Sequence, residues 1–440
     1  FAEQRSTLLA LLIFLVMFAI YGGNHPAHFS PNVIQTAANK GVLLAFVAMA
    51  QTFVVLTAGI DLSVGMIFIL CSCLASYVVV GSPLESAGGL VLVLLVGLAC
   101  GAINGIIVVF GRLQPIVVTI ATGAVFFGLA LWLRPNPGST KGFNSDLADA
   151  FTGKLFGVVP ASIVPLLVVV LVIWIPYRRS VIGRAAYAVG SSEVAAYMSG
   201  VPIRRAKLVA YTLSGLLAGV GGLFLTFFTY SGEASLANGN TYTLFSIAAV
   251  VLGGVSLFGG KGSAIGAIFG ALAFRTIGDL LFVFNLDPLW QPLFQGVVLL
   301  AADVFAASFL LAILGGVLLL IGCVVAYQVM GATAAGVATL AAVALLGVTI
   351  YLELIVLPRT RFGRGLVVEA KVDATSQPPV APSEAVVGRN AEALTTLAPS
   401  GYVAVEGRRY EAFCQSGHAA KGTPLRVVGV DNFRLIVSKT

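Results

Sequence analysis

The chain has 440 residues, of which 58% are hydrophobic and only 10% charged, with a formal net charge of +7. A soluble domain carries roughly 25% charged residues, so this balance excludes a water-soluble enzyme or binding module and points to a polytopic helical membrane protein. The basic surplus implies no nucleic-acid partner, because it gathers in short loops between apolar runs.

Apolar runs of roughly 17–25 residues are read as membrane helices. In chain order they predict helices near 6–22, 36–58, 62–81, 88–110, 115–133, 160–177, 207–230, 243–257, 263–284, 289–306, 309–329 and 333–357. The fold class is therefore all-α polytopic membrane protein, with about 12 transmembrane helices, followed by a small all-β barrel. The first run has no small-residue cleavage site and leads into more membrane, so it is expected to stay as a helix. The chain opens at Phe1 rather than Met, which predicts a native start further upstream.

Gly59-Ile60-Asp61-Leu62-Ser63-Val64-Gly65 interrupts the apolar sequence with an acid, a hydroxyl and flanking glycines. Two readings stand: Asp61 and Ser63 cap the helix that follows, or the acid at membrane depth touches a substrate. Cys71, Cys73, Cys100, Cys323 and Cys414 follow no metal or disulfide spacing and read as small apolar packers. His25, His28 and His418 are scattered. No metal site and no cofactor are expected.

The stretch 178–207 is the one long basic loop. It reads Arg178-Arg179-Ser180-Val181-Ile182-Gly183-Arg184, then 185–199 with helical composition and little apolar bulk, then Gly200-Val201-Pro202 before Arg204, Arg205 and Lys207. Arg112, this cluster and Lys261 place one side in the cytoplasm, with the N-terminus inside. Arg134, Lys141 and Lys154 run against that rule, in a longer loop. A helix outside the bilayer over 185–199 is able to press on a partner. Glu193, Arg184 and Arg204 are its best contacts by position and charge.

The eighth helix is short and runs into Gly253-Gly254, which predicts a broken or re-entrant segment. The glycine-rich 252–263 is no phosphate loop, because Lys261 is followed by Gly262 rather than Ser or Thr. Gly262, Gly266 and Gly270 predict a close-packing face. Arg275 and Asp279, one turn apart, predict an intramembrane pair, and Trp290 suits an interface belt. With no Gly-x-Ser-x-Gly, no His-Glu-x-x-His and no nucleophile–base set, the chain is read as no enzyme.

After Pro358 the character changes. Arg359, Arg361 and Arg364 mark a cytoplasmic exit, and residues 373–383 form a linker rich in Pro, Ser and Ala. Short alternating runs at 385–387, 402–405, 410–414, 425–430 and 433–437 predict five strands. In so short a segment they are expected to close into a barrel, leaving no open edge.

Residues 1–302 resemble the permease subunit of sugar ABC importers, in the ribose/xylose/galactose branch. The resemblance rests on Gly59–Gly65, on Tyr187-Ala188-Val189-Gly190 within 183–200, and on Ser246-Ile247-Ala248-Ala249-Val250-Val251-Leu252-Gly253-Gly254 leading to Ser256-Leu257-Phe258-Gly259-Gly260. Trp290-Gln291 and Gln295-Gly296 add to it. It implies ten helices, a second permease copy, an ABC ATPase subunit and a periplasmic sugar-binding protein, in a bacterial inner membrane. It marks 185–199 as the cytoplasmic coupling helix, with Arg184, Tyr187, Gly190, Glu193, Ala196 and Arg204 as ATPase-coupling residues. Asp61, Ser63, Asn104, Gly253 and Gly254 are its motif and pathway candidates, on a sugar path at the dimer axis. Relatives often carry Glu-Leu before the Ile-Ala-Ala run, where this chain has Thr243-Leu244.

Residues 303–440 resemble the short NfeD proteins, through Leu314-Gly315-Gly316-Val317, Leu357-Pro358-Arg359-Thr360-Arg361-Phe362-Gly363-Arg364, Pro399-Ser400-Gly401 and Gly407-Arg408-Arg409-Tyr410-Glu411-Ala412. That family implies a membrane hairpin (303–370), a linker (371–383) and a cytoplasmic OB-like barrel (384–440) working beside an SPFH/stomatin protein. No turn-forming Gly or Pro separates the tenth and eleventh helices, so the join reads as one helix shared by two families. The expected function is a sugar-importer permease with an appended barrel. The alternatives are a membrane scaffold for an SPFH partner, or a join of two unrelated membrane proteins.

Overall fold

The computed structural model describes residues 2–287, 290–297, 319–320, 322–324, 328, 331–351, 386–431 and 434–439. Two compact units emerge, Phe1–Gly363 and Arg364–Thr440. The predicted seam, most of the tenth and eleventh helices and the linker lie outside the described residues.

The first unit is helical. Its leading elements are α1 (Ala2–Asn24), α2 (Pro31–Val55), α3 (Val64–Val78), α4 (Pro83–Gly111) and α5 (Pro115–Leu133). Proline at the start of α2, α4 and α5 fixes the entry angle where no N–H is needed. A short α6 (Ser145–Thr152) and a two-stranded ribbon, β1 (Lys154–Leu155) with β2 (Val159–Pro160), occupy the connection after α5. There follow α7 (Ile163–Val169), a π-helical turn at Val170–Trp174 and α8 (Ile175–Arg179). Pro176 explains that turn: its ring clashes with the carbonyl four residues back, and the widened turn relieves the clash. Then come α9 (Val181–Ser191), α10 (Glu193–Met198), α11 (Ile203–Thr229), α12 (Leu236–Leu252), α13 (Ala264–Val283) and α14 (Ala332–Tyr351).

Among the described residues six helices, α1, α2, α4, α5, α11 and α13, are long and apolar enough to cross a membrane. A seventh crossing arises if the pair bent by 69°, Ile163–Arg179 with Val181–Ser191, counts as one. α3 and α12 are shorter. α2 is the central helix: every residue from 41 to 55 is buried, as expected of a helix apolar all round.

Glycines set the closest approaches. A Cβ on Gly101 would lie 2.2 Å from the Tyr211 carbonyl oxygen, and one on Gly215 would lie 2.3 Å from the Gly97 carbonyl oxygen. Gly97, Gly101 and Gly215, Gly219 recur every four residues, so each pair shares a face, and α4 and α11 touch backbone to backbone. On α13 the close face is Gly266 and Gly270, pressed on Gly253 and Ala249. Gly262 differs from expectation: with φ +120° it precedes the helix and lies against Val255.

The predicted Arg275–Asp279 pair is replaced by Lys40, whose Nζ lies 2.9 Å from Asp279 Oδ1. Tertiary packing places α2 beside α13 and so brings Lys40, distant in sequence, to Asp279. Arg134, which runs against the topology rule, is held by bonds: its guanidinium donates to Ser76 Oγ and Ser76 O, each at 3.0 Å, and stacks on Tyr77. It marks a local tie rather than a side of the membrane.

The second unit is a closed five-stranded barrel: β3 (Asn390–Ala393), β4 (Ser400–Val405), β5 (Arg408–Cys414), β6 (Pro424–Val430) and β7 (Leu435–Lys439), in the order β3-β4-β5-β7-β6. β5 and β7 are parallel; the other pairs are antiparallel. Alternate residues, among them Val403, Val405, Ala412, Cys414, Leu425, Val427, Leu435 and Val437, form its core, the period of two that the sequence displays. The strand expected at 385–387 is corrected to 390–393. Gly388, at φ +85°, turns the chain there, and only after it does the alternation begin.

Candidate functional site

The expected single helix at 185–199 is two helices. Ser192, with extended backbone, ends α9 and caps α10 through its Oγ, which accepts from the Ala195 N–H. α9 is itself capped by Ser180, whose Oγ accepts from Gly183 N–H at 2.9 Å. Ser192 thus separates α10 from α9, and Gly200 (φ +71°) turns the chain after α10 toward α11.

α9 is clamped to the core. Tyr187 Oη donates to the Gly262 carbonyl at 2.7 Å. Gly190 has no room for a side chain, since its Cβ would lie 2.1 Å from the Leu56 carbonyl oxygen and 2.4 Å from Gly260 N. Gly260 N–H donates to that same Leu56 carbonyl at 3.1 Å. Glycines at 190, 259 and 260 therefore lock α9, the end of α2 and the 253–262 turn into one layer. Gly253 and Gly254 belong to that turn: the first packs on Gly266, the second takes φ +79° to reverse the chain.

α10 is held beneath and free above. Ala196 is buried with Ala185, Val189 and Ala206. Arg184 donates to the Arg179 carbonyl at 2.7 Å, and Glu193 pairs with Lys207 at 2.7 Å. Arg204 lines a cleft of about 660 Å³ with Glu193, Tyr197, Lys207 and Arg112. What α10 presents outward is apolar: Val194, Tyr197 and Met198 are 75%, 74% and 81% exposed. Sequence reasoning by charge passed over these three. Their signal was positions i, i+3 and i+4 on one face of a short polar helix.

A second constellation sits where α2 gives way to α3. Asp61 is fully buried. Its Oδ1 accepts from the Ser63 N–H at 2.9 Å and from Ser63 Oγ at 2.6 Å, and its Oδ2 accepts from Ser214 Oγ at 3.1 Å. Asn104 donates to Ser63 Oγ at 2.7 Å. Thr119 Oγ1 accepts from the Leu62 N–H at 3.0 Å, and Thr243 Oγ1 from the Gly65 N–H at 3.1 Å. With its amide oriented to satisfy both ends, Gln51 brackets the Asp61 backbone, at 3.0 Å to the carbonyl and 3.2 Å to the N–H. The capping expectation is corrected: Ser63 is the N-cap residue of α3, yet its hydroxyl bonds to Asp61 instead. The turn at 59–65 is thus bonded to α2, α4, α5, α11 and α12 at once. Neither constellation holds a nucleophile–base pair, and among the described residues no group of three or more His, Cys, Asp or Glu could hold a metal.

Residues 33–303 match the family described as branched-chain amino acid transport system / permease component. Residues 383–439 match the NfeD-like C-terminal, partner-binding domain. A ribose import permease protein of Bacillus subtilis is 33% identical over 301 residues, 68% of this chain and 91% of the relative. A D-allose transport system permease protein of Escherichia coli is 31% identical, over 66% of this chain and 88% of the relative. An autoinducer 2 import system permease protein of Yersinia pseudotuberculosis is 34% identical, over 67% and 83%. Among solved structures, the C-terminal domain of a stomatin operon partner protein from Pyrococcus horikoshii is 30% identical over 14% of this chain and 95% of that chain, with a TM-score of 0.13.

Proposed function

The chain belongs to the family described as branched-chain amino acid transport system / permease component, and on that premise we propose that it is the membrane permease subunit of an ATP-driven importer of a monosaccharide or similarly small polar solute. Hydrolysis falls to a separate ATPase chain; this subunit is transport machinery rather than an enzyme. A periplasmic binding protein delivers the solute to a pair of permease copies in the bacterial inner membrane. Relatives named for ribose, allose and autoinducer 2 support the substrate class.

The observation that carries the reading is α10: an exposed apolar face whose buried side, Ala196, packs on α9, the helix that Gly190 and Tyr187 lock to the core. A surface that is exposed, apolar and rigidly backed suits transmission of a push from a docked partner. Val194, Tyr197 and Met198 make the contact, with Glu193, Arg184 and Arg204 around its rim and Tyr187, Gly190 and Ala196 behind it. Asp61 and Ser63 hold the 59–65 turn, with Asn104 of α4 bonded to it, rather than acting on the solute. The division is permease to 302, membrane hairpin 303–370, linker 371–383 and cytoplasmic barrel 384–440, whose partner is an SPFH-type membrane protein.

The test is co-purification from membranes of the full chain with its ATPase. Val194→Asp with Met198→Asp is expected to cut recovered ATPase by roughly thirtyfold, the effect of losing about 2 kcal/mol at an interface anchor. Equal recovery with the wild type would remove α10 as the docking element.

A further inference from the structure

Two atoms of the buried network have no partner among the described residues: the Asn104 side-chain oxygen and the Tyr211 hydroxyl. Both residues are buried, Tyr211 to 1%. The Tyr211 hydroxyl lies against the turn, 2.8 Å from where a Cβ on Gly59 would sit. Leaving a buried hydroxyl unpaired is unfavourable, and a phenyl ring would fill the same space without that cost. In the described arrangement the hydroxyl contributes nothing.

Tyr211 and Ser214 are three residues apart on α11, so they lie on one face, about 4.5 Å apart along the axis. Ser214 holds Asp61 Oδ2 now. Tyr211 is nearer the end of α11 that leads to α10. The turn bearing Asp61 begins at Leu56, whose carbonyl is pressed by Gly190 and bonded by Gly260. Movement of α9 and α10 therefore reaches Asp61 through a few residues of backbone.

Resting on the permease reading above, we propose that Tyr211 is the alternate partner of Asp61. A shift of the 59–65 turn by one helical turn along α11 exchanges the Ser214 hydroxyl for the Tyr211 hydroxyl and reseats Ser63 against the Asn104 carbonyl. Packed interfaces move between such discrete seats rather than deforming continuously. Tyr211 is then a positioning residue: it stabilises the second state of the permease and is silent in the first.

The test compares Tyr211→Phe and Ser214→Ala in the full chain assembled with its ATPase, with Mg-ATP and orthovanadate as the probes. Tyr211→Phe is expected to melt at or above the wild-type temperature without nucleotide. It should also hydrolyse ATP about fivefold more slowly, the lower end of usual coupling strengths, and lose most of the vanadate-induced melting shift. Ser214→Ala should show the crossed pattern, a lower nucleotide-free melt and a retained vanadate shift. Wild-type hydrolysis and shift in Tyr211→Phe, or a lower nucleotide-free melt, overturns the exchange. Because these complexes retain the ATPase, that result leaves the permease reading standing; a wild-type chain that recruits no ATPase overturns both.

Discussion

Gly215→Leu is expected to leave almost no folded protein in the membrane. The first added carbon would sit 2.3 Å from the Gly97 carbonyl oxygen and 2.5 Å from Gly101 N, and both are backbone atoms of a neighbouring helix. A side chain can rotate away; a backbone cannot. Overpacking a core usually costs 1–3 kcal/mol. Here α4 and α11 have to separate along their crossing, so a loss beyond about 3 kcal/mol is expected. Gly128→Leu is the control, since nothing lies within 4 Å of its Cβ position; it should change stability by no more than about 0.5 kcal/mol. Size-exclusion profiles and thermal melts in detergent check this. A monodisperse Gly215→Leu protein with a wild-type melt would show that the two helices do not touch as described.

Asp61→Ala is expected to cost about 3 kcal/mol of stability and all transport. The carboxylate accepts from Ser63 N–H, Ser63 Oγ and Ser214 Oγ inside a fully buried turn. Hydrogen bonds to a charged group contribute roughly 1.5–3 kcal/mol each, and stranding buried donors adds their desolvation penalty. Asp61→Asn keeps shape and one acceptor oxygen, so it should melt between the two. Uptake of labelled solute into vesicles, together with melting in detergent, separates stability from transport. An alanine variant with wild-type uptake would mean that the five helices do not depend on this turn for their arrangement.

Much of the fold was legible because its signals are local. Apolar run length located α4, α5, α11 and α13 to within about five residues. The barrel's alternation gave its strands from β4 onward. Boundaries slipped where a turn residue decides: Gly388 delayed the first strand, and Ser192 split the segment 185–199. The pairing of Asp279 with Lys40 and the contact of Gly97 and Gly101 with Gly215 were illegible. Each joins residues more than a hundred positions apart, and one sequence carries no record of which helices are neighbours. Charge also left the apolar face of α10 unread: Glu193 and Arg184 are bonded within the subunit, and Val194, Tyr197 and Met198, which follow Glu193, face out.

By itself the sequence determined a helical membrane protein with a small barrel, a basic loop on one side, and an acid, Asp61, within an apolar stretch. Composition and periodicity act residue by residue, so they survive without a fold. Only the tertiary structure decided that Asp61 is buried in a turn bonded to five helices, that Gly190 locks α9 to the end of α2, and that Tyr211 lies beside the turn unpaired. Hydrogen bonds and close contacts act over about 3–4 Å, and at that range helix packing alone fixes which residues meet.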